Sequence, residues 1–517
     1  MSRSRTRLVS LIRNASIVSA MIFLSRLTGL AREMLLASFL GAGSAADAFR
    51  IGFLAPNMLR RIFAEGAFAQ AFVPVLSSQQ SELEARRLIA DVSGVLIVAV
   101  LAVSVAGVFG AGSIAFALAP AFGDVPGKLE LTASLVQFMF PYLALISLVS
   151  LMCAVLNSSG RYIVASSVPI LLNASMIAAV LSAGVVSIAP AWWMAISVIS
   201  GGALQLAIAL AAVARVGWLI WPRWNPRGAG VLEVGRLMSP SLMSAAAAHF
   251  SLILNTRIAA QMGDGAVSWL NYADRLMEFP VAMLGVALAT AIAPVLARKA
   301  LVQDVEEYTL ALQCGLRIAL FLSVPASMFM IVAAYPLLCT LLTRGAFGVA
   351  DAAESAKALS AYGAGLIALV VLKILAPACL AKRKARLPMI AALTSIIFVQ
   401  LANLLLVPLM GHAGLALSIG FGAWVNVAVL TIGLARADAL RPRLSDLVFL
   451  SRICVGAFAV YWLVKFMVAE MGDAWLFDGW RRWAALFGLI GASGLTYLAT
   501  VGIVGLRSSH MRAAEIA

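Results

Sequence analysis

Long apolar runs dominate this chain, and short polar segments separate them. A run of roughly 20 apolar residues is long enough to cross a bilayer as a helix. The pattern predicts about fourteen such spans, of which the second and the eighth are interrupted by charged residues and proline. Their limits are approximately 17–40, 49–76, 88–122, 131–156, 162–186, 192–213, 237–262, 267–296, 316–342, 358–380, 387–410, 415–434, 447–468 and 484–504.

Composition favours a membrane protein over a soluble one. Of the 517 residues, 62% are hydrophobic and only 12% are charged, whereas about 25% of residues are charged in a typical soluble chain. The 40 glycines suit close packing of helices in lipid. The predicted fold class is therefore an all-α polytopic membrane protein.

The distribution of basic residues predicts the orientation in the membrane. The net charge is +15, but the lysines and arginines are concentrated in alternate short loops, which is typical of the positive-inside pattern and not of nucleic-acid binding. If both termini are cytoplasmic, about 21 Lys/Arg lie on the cytoplasmic side and about five on the other. We therefore expect a multi-pass protein of a bacterial inner membrane with both termini in the cytoplasm.

The chain contains an internal repeat with an offset of about 220 residues. GAG at 41–43 precedes FLAP at 53–56 and AFVPVL at 71–76, and GDG at 263–265 precedes MEFP at 277–280 and AIAPVL at 291–296. Six predicted spans precede the linker 217–230 and six follow it, so the repeats run parallel and favour a two-lobed transporter. The predicted domains are 1–222, 223–440 and a final helix pair with its tail at 441–517.

Several charged residues of the first repeat fall within predicted spans, where a charge costs roughly 2.5–3.5 kcal/mol. The candidates for a polar cavity are the arginines Arg26, Arg32 and Arg60 and the acids Asp47 and Glu65. Arginine suggests an anionic guest, because its guanidinium binds phosphate through two parallel bonds. Alternatives remain: arginines can extend to the interface, acids can form internal ion pairs, and Asp47 can be a solvated loop residue or a helix cap.

The second repeat has a corresponding charged segment, NYADRLMEFP at 271–280. On a helix, Arg275 and Glu278 are three residues apart and Asp274 and Glu278 four, so these acids are candidate cavity residues or internal partners of the arginine. Lys373 lies in the middle of an apolar span. It is interpreted either as a cation that faces a cavity or as a buried structural cation. Arg317, nearer a span end, is expected to extend to the interface.

Sequence patterns of enzymes are absent. The chain has no P-loop, no GxSxG and no HExxH motif. Its five cysteines and three histidines are dispersed, which excludes a disulfide framework and a zinc site. No enzymatic activity and no cofactor are therefore expected, and a metal site is left unassigned.

Two segments resemble those of one family. PNMLRRIFAEGAF at 56–68 and YADRLMEFP at 272–280 are similar to signature segments of the MurJ family, also called MviN, of bacterial lipid II flippases. The resemblance extends over nearly the whole chain. It implies the fold of the multidrug/oligosaccharidyl-lipid/polysaccharide exporter superfamily, in which two six-helix lobes surround a central cavity. It also implies that the last two helices form a groove for the polyprenyl tail.

The resemblance further implies roles for single residues. Arginines that match Arg26, Arg32, Arg60 and Arg275 line the cavity and would hold the diphosphate. Positions that match Asp47, Glu65, Glu278 and Lys373 are cavity or gate residues. The substrate would be lipid II, the undecaprenyl-diphosphate-linked disaccharide-pentapeptide, moved from the inner to the outer leaflet by alternating access.

Two other interpretations stay open. One is an exporter of another polyprenyl-diphosphate oligosaccharide or of a drug, although a cavity for cationic drugs should be rich in acids. The other is a non-transporting scaffold of envelope assembly. The expected partners are lipid II and membrane lipids, with cell-wall synthesis or division proteins as further candidates and no nucleic acid. The energy source is left open between a monovalent ion and the membrane potential.

Overall fold

A computed structural model describes residues 2–63, 67–384, 386–436, 440, 444–472, 475 and 479–506. Side chains are described within these ranges except at 2–19, 22, 61–63, 67 and 240–248. In this part of the chain the regular structure is helical, and the sole β-type pairing is an isolated bridge between Arg344 and Phe347. The all-α fold class predicted from the apolar runs is confirmed.

The chain divides into two compact units, Met1–Ser268 and Trp269–Ala517. The helices of the first unit are α1 (Ser2–Leu40), α2 (Ser44–Phe63), α3 (Ala67–Ser77), α4 (Glu82–Phe109), α5 (Ala111–Leu118), α6 (Lys128–Met139), α7 (Tyr142–Ser158), α8 (Tyr162–Ser182), α9 (Pro190–Arg215) and α10 (Ala229–Ala260). Short 3-10 turns lie at Pro120–Asp124 and Ala183–Val185.

Helix α11 (Ala266–Pro280) begins in the first unit, and most of it belongs to the second. The remaining helices are α12 (Ala287–Leu301), α13 (Val305–Val332), α14 (Ala334–Leu342), α15 (Val349–Ala381), α16 (Arg386–Met410), α17 (His412–Ala435), α18 (Leu444–Met471) and α19 (Trp480–Ile503). A π-helical turn, Val281–Val286, joins α11 to α12.

Two apolar cores hold the first unit together. One packs α6, α7 and α9 around Leu135, Tyr142 and Met194, and α1, α2 and α8 contribute to it. The other packs α3, α4 and α7 around Phe72 and Leu151. Helix α10 packs against α2, α3, α4 and α5.

In the second unit, α15 packs against α13 and α17, and α16 forms a hairpin with α17. The last two helices attach to α13. Phe449 and Ile453 of α18 are buried against Val324 of α13, and the Tyr497 hydroxyl of α19 donates a 2.9 Å hydrogen bond to the carbonyl of Phe321. The final helix pair is therefore packed on the core of this unit.

Within the described residues, eleven helices are long and apolar enough to cross a membrane. They correspond to the predicted spans three to six and eight to fourteen, so the multi-pass character is confirmed. The other three predicted spans fall on α1, on α2 with α3, and on α10, and each includes residues or side chains outside the described set. The total of fourteen therefore stays a prediction.

The eighth span is continuous despite its proline. It runs over Ala266–Leu301, and the π-helical turn directly follows Pro280. Proline lacks an N–H and removes one helical hydrogen bond, and a wider turn is a common local adjustment to such a defect. The interruption is thus absorbed within a single membrane-capable helix.

The contacts and the sequence repeat divide the chain at different points. The repeat places α10 in the domain 223–440, whereas the contacts group it with the first unit. The domain limits 1–222, 223–440 and 441–517 stay a prediction.

Helices α15 and α17 approach each other most closely at a pair of glycines. A Cβ added to Gly365 would lie 2.5 Å from the Cα of Gly420. Because the obstacle is backbone, a side chain there cannot be accommodated by a rotamer change. Small residues permit this kind of approach between membrane helices.

We expect Gly365→Ala to destabilise the protein by about 1–3 kcal/mol, because overpacking forces the two helices apart. Thermal unfolding in detergent measures the effect. The matched control is Gly488→Ala in α19, where an added Cβ meets nothing within 4 Å and alanine favours the helix. Equal losses in both variants would contradict the close-packing explanation.

Candidate functional site

A buried glutamate joins two arginines in the first unit. Glu33 of α1 is 6% exposed. Its Oε1 lies 2.5 Å from Nη2 of Arg32, and its Oε2 lies 3.5 Å from Nη2 of Arg50 on α2. One carboxylate thus faces two guanidinium groups, and these three side chains together carry a positive charge.

Helix α8 orients the first of these arginines. Arg32 Nη1 donates a 3.0 Å hydrogen bond to Oδ1 of Asn173. The Asn173 amide in turn donates to the carbonyl of Ser25 and to the hydroxyl of Thr28 on α1. The Nε–H of Arg32 is buried and has no acceptor among the described residues. The guanidinium is therefore fixed in position and keeps one unused donor.

The other two arginines predicted in this unit have different surroundings. Arg26 is exposed on α1, and no hydrogen bond or ion pair joins it to another described residue. Arg60 Nε donates a 2.9 Å hydrogen bond to Oδ1 of Asn57, one turn earlier on α2. Glu65 lies outside the described residues.

Asp47, in the first turn of α2, has no exposed surface. Its Oδ1 accepts hydrogen bonds from the backbone N–H and the hydroxyl of Ser268, at 3.0 and 2.7 Å. Its Oδ2 accepts from the backbone N–H of Gly265 at 2.8 Å and from Nζ of Lys128 at 3.0 Å. Asp47 therefore caps the first turn of α11, and the alternative of a solvated loop residue is wrong.

Lys128 and Asp264 complete this network. Lys128, the first residue of α6, is 3% exposed, lies over the ring of Phe122, and places its Nζ 2.5 Å from Oδ1 of Asp264. The backbone N–H and the hydroxyl of Ser44 also donate to Asp264. Ser44, Asp47, Lys128, Asp264 and Ser268 form what we call the aspartate–lysine network.

The pKa of Asp264, in the loop between α10 and α11, lies below its ordinary value. Burial acts to raise the pKa of this carboxyl, but hydrogen bonds from Lys128 and Ser44 and the positive charge of Lys128 outweigh it. The carboxylate form is thus the one that this loop stabilises.

In the second unit, Arg275 forms the pair that its spacing indicated. Its Nη1 lies 2.8 Å from Oε2 of Glu278 on the same helix. Asp274 is half-buried beside it. Both acids lie within electrostatic range of the buried Tyr362 on α15. The interpretation of Glu278 as an internal partner of Arg275 is confirmed.

Lys373 of α15 is exposed to a cavity of about 430 Å³. Asn426 lines the same cavity, and the rest of the wall is apolar and comes from α12, α15, α16 and α17 together with the π-helical turn. Gly285 makes room for the lysine, because a Cβ there would lie 2.8 Å from the Lys373 Cγ. Lys373 therefore lies at a cavity wall and not in a sealed core.

Arg317 pairs with an acid of the protein, and its extension to the interface stays a prediction. Its Nη2 lies 2.6 Å from Oδ1 of Asp446 and 3.1 Å from the hydroxyl of Ser445, both on α18. Its guanidinium also lies over the ring of Phe449. The ion pair ties the penultimate helix to α13.

The predicted convergence of all four arginines on one cavity stays a prediction. Arg26, Arg32 and Arg60 belong to the first unit and Arg275 to the second, and each unit has its own contacts. Sequence reasoning counted Glu33 and Arg50 among the charged residues that could line a polar cavity, without an individual role, and it assigned no role to Asn173, Lys128 and Asp264. Their only signal was the presence of a polar residue in or beside an apolar run.

Comparison with known proteins identifies one family over most of the chain. The family described as "Lipid II flippase MurJ" matches residues 36–477. A protein of Burkholderia cenocepacia named "Lipid II flippase MurJ" is 38% identical over 485 residues, which cover 92% of this chain and 91% of that protein. A Vibrio cholerae protein named "Probable lipid II flippase MurJ" is 33% identical over 515 residues, or 98% of each chain.

Solved structures show the same fold. A structure described as "Lipid II flippase MurJ, inward closed conformation" superposes with a TM-score of 0.78 at 20% identity, covering 94% of this chain and 98% of that one. An inward-facing multidrug resistance transporter of the MATE family, in the MOP superfamily, gives 0.65 at 15% identity, covering 82% of this chain and 98% of that one.

The lowered pKa of Asp264 predicts a pH-dependent contribution to stability. The contribution should be complete above the ordinary value of 3.8 and should be lost as the pH falls through the lower pKa of the folded protein. We expect Asp264→Asn to lower the Tm in detergent at pH 7, and we expect the difference from the unsubstituted protein to shrink towards pH 3.

The control is Asp124→Asn, which removes an exposed carboxylate from the turn that precedes α6. Its Tm should equal that of the unsubstituted protein at both pH values. A Tm difference for Asp264→Asn that is the same at pH 7 and pH 3 would contradict an ionised contact with Lys128.

Proposed function

The chain belongs to the lipid II flippase MurJ family, and on that basis we propose that it moves lipid II from the cytoplasmic to the outer leaflet of a bacterial inner membrane. The observation that carries the proposal is the family match over residues 36–477, together with the arginines on helices α1, α2 and α11. Transport of this kind changes the location of the lipid and none of its covalent bonds.

Positive charge in the first unit supports binding of a diphosphate. Arg32 is oriented by Asn173 and Glu33 and retains an unused Nε–H. Arg26 projects from the same helix without an acid partner among the described residues. A diphosphate offers several oxygens, so two or more guanidinium groups can bind it at once. We assign the diphosphate to Arg26, Arg32, Arg60 and Arg275.

The acids have a different part in this proposal. Each carboxylate oxygen of Asp47 already accepts two hydrogen bonds, and the side chain is completely buried. Such a group has little capacity left for a substrate. We assign the aspartate–lysine network to closure of the outer end of the first unit, where it joins α2, α6 and the loop before α11. Glu65, Asp274 and Glu278 remain proposed cavity or gate acids.

Alternating access and its energy source complete the proposal. The family's fold allows a site to open to each side of the membrane in turn. An inside-negative potential favours export of an anion, and a monovalent ion is the alternative driving force. Lys373 is the proposed cavity cation of the second unit, since it reaches a cavity wall. The last helix pair, attached to α13, is proposed to hold the polyprenyl tail.

The likeness to multidrug transporters supports the fold only, because those structures share 15% and 16% sequence identity with this chain. Three relatives that are 33–38% identical carry the lipid II flippase name. Arginine-rich helices also suit an anionic head group better than a cationic drug. Export of a drug is therefore the weaker candidate.

Membrane orientation gives one test. With both termini in the cytoplasm, reporter fusions after Gly263 and after Gly411 should both report the periplasm, because an even number of spans separates these two loops. Alkaline phosphatase and green fluorescent protein fusions, read in parallel, measure this. A cytoplasmic signal at either position would contradict the proposed orientation.

The diphosphate assignment predicts a pattern of substitutions. Arg26→Ala, Arg32→Ala and Arg275→Ala should each abolish growth of a strain depleted of its own flippase, because one charge-assisted bond contributes about 1.5–3 kcal/mol, or roughly 10–150-fold in affinity. Lysine variants should retain activity at some positions only, since lysine keeps the charge and loses the paired bonds.

Complementation of the depleted strain measures growth, and an immunoblot checks the amount of each variant in the membrane. A second assay then measures which leaflet holds lipid II. The control is Arg86→Ala, which removes an exposed arginine paired with Glu82 and should support normal growth. Growth of the Arg26→Ala or Arg275→Ala strain at the normal rate would refute the diphosphate assignment.

A further inference from the structure

Two arginines of the second unit lie together, and no described acid pairs with either of them. Arg344 lies between α14 and α15, and Arg482 lies in the first turn of α19. The Arg482 Nη1 donates a 3.2 Å hydrogen bond to the carbonyl of Thr343, and the Arg344 Nη2 donates a 3.1 Å bond to the carbonyl of Thr340. Arg482 is only 6% exposed, so its charge is largely withdrawn from solvent.

The like charges act on each other. Burial and the nearby charge of Arg482 lower the pKa of Arg344. Neither guanidinium has a carboxylate within ion-pair distance in the part of the chain that the structure describes. Two buried like charges are unfavourable unless an opposite charge accompanies them. Among the described residues the pair therefore has no counter-anion.

Unused hydrogen-bond donors lie at the same place. The Nε–H of Arg482 and the hydroxyl of Thr340 are buried without a partner among the described residues. Buried donors of this kind are costly unless they meet an acceptor. An N–H and a hydroxyl beside two guanidinium groups make a set of donors that suits a phosphate oxygen.

The N-terminus of α19 adds to the attraction for an anion. This helix has 24 residues, its N-cap Gly479 provides no side-chain acceptor, and its first turn contains no acid. Free N–H groups and the helix dipole favour a negative charge at such an end. Instead the first turn places Arg481 and Arg482 there, which the dipole opposes.

Aromatic side chains place this cluster at the membrane surface. Trp480 is 75% exposed and Phe487 is 64% exposed. Trp483 stacks on Phe487, and the guanidinium of Arg344 lies 5.5 Å from the centroid of the Trp483 ring. Exposed tryptophans of membrane helices lie at the level of the lipid head groups. An anion that reaches Arg344 at this level is the phosphate of a lipid.

We propose that Arg344, Arg482 and the N-terminus of α19 bind the phosphodiester of an anionic phospholipid. Arg344 is half-buried and forms the entrance, and Arg482 forms the inner wall with Thr340 and Thr343. The site lies within one unit, uses none of the residues assigned to the diphosphate, and does not depend on the transport function.

The test is native mass spectrometry of the full-length protein in detergent with added dioleoylphosphatidylglycerol. Arg344→Gln and Arg482→Gln should each weaken binding of this lipid by about tenfold, because each removes charge-assisted hydrogen bonds. Arg481→Gln is the matched control. It removes the same charge from the same helical turn, but Arg481 is exposed and should leave the affinity unchanged.

Two further probes identify the source of the phosphate. Dioleoylglycerol has the same tails and no phosphate, and its binding should be the same in all variants. Millimolar inorganic phosphate should leave lipid binding unchanged; displacement of the lipid by it would show a site for free phosphate and overturn the proposal. Unchanged lipid affinity in Arg344→Gln would also overturn the proposal, and so would an equal loss of affinity in Arg481→Gln. If Arg482→Gln does not fold, the result for Arg344→Gln decides.

Discussion

A charged group within a membrane-spanning helix must find its partner inside the protein, and this requirement fixes much of the arrangement described above. Removing one member of a buried ion pair costs about 3–5 kcal/mol, because the other charge is left without compensation. Glu33 meets the requirement with arginines from α1 and α2. Arg317 meets it with Asp446, and so attaches α18 to α13. In both cases the position of a helix follows from the need to neutralise a charge.

The sequence predicts the parts of this arrangement that depend on local spacing. Apolar runs locate the eleven membrane-capable helices of the described part of the chain, and a three-residue separation predicts the pair between Arg275 and Glu278. The sequence does not predict partners far apart in the chain. Asn173 lies 141 residues from Arg32, and Lys128 lies 81 residues from Asp47 and 136 from Asp264. No periodicity connects such positions, and the pair of Arg317 with Asp446, 129 residues away, was not predicted for the same reason.

The two loops that correspond to each other in the internal repeat are in contact. Ser44 follows GAG at 41–43, and its N–H and hydroxyl donate to Asp264 of the sequence GDG at 263–265. Equivalent points of the repeat are therefore in contact. They are not identical in chemistry, because Asp264 occupies the position where the first repeat has Ala42. This single difference supplies the second carboxylate that Lys128 contacts, and a purely symmetric duplication would lack it.

The two polar groups of the first unit carry opposite charge. Two arginines and one glutamate leave the group around Glu33 positive, whereas two aspartates and one lysine leave the aspartate–lysine network negative. Arg32 lies eight residues before the end of α1, which is about 12 Å along a helix. An anion is attracted to the positive group and repelled by the negative one at the helix ends. The two groups therefore suit different roles. In the function proposed above, the positive group would bind the diphosphate, and the negative group, with its donors and acceptors matched to each other, would serve closure.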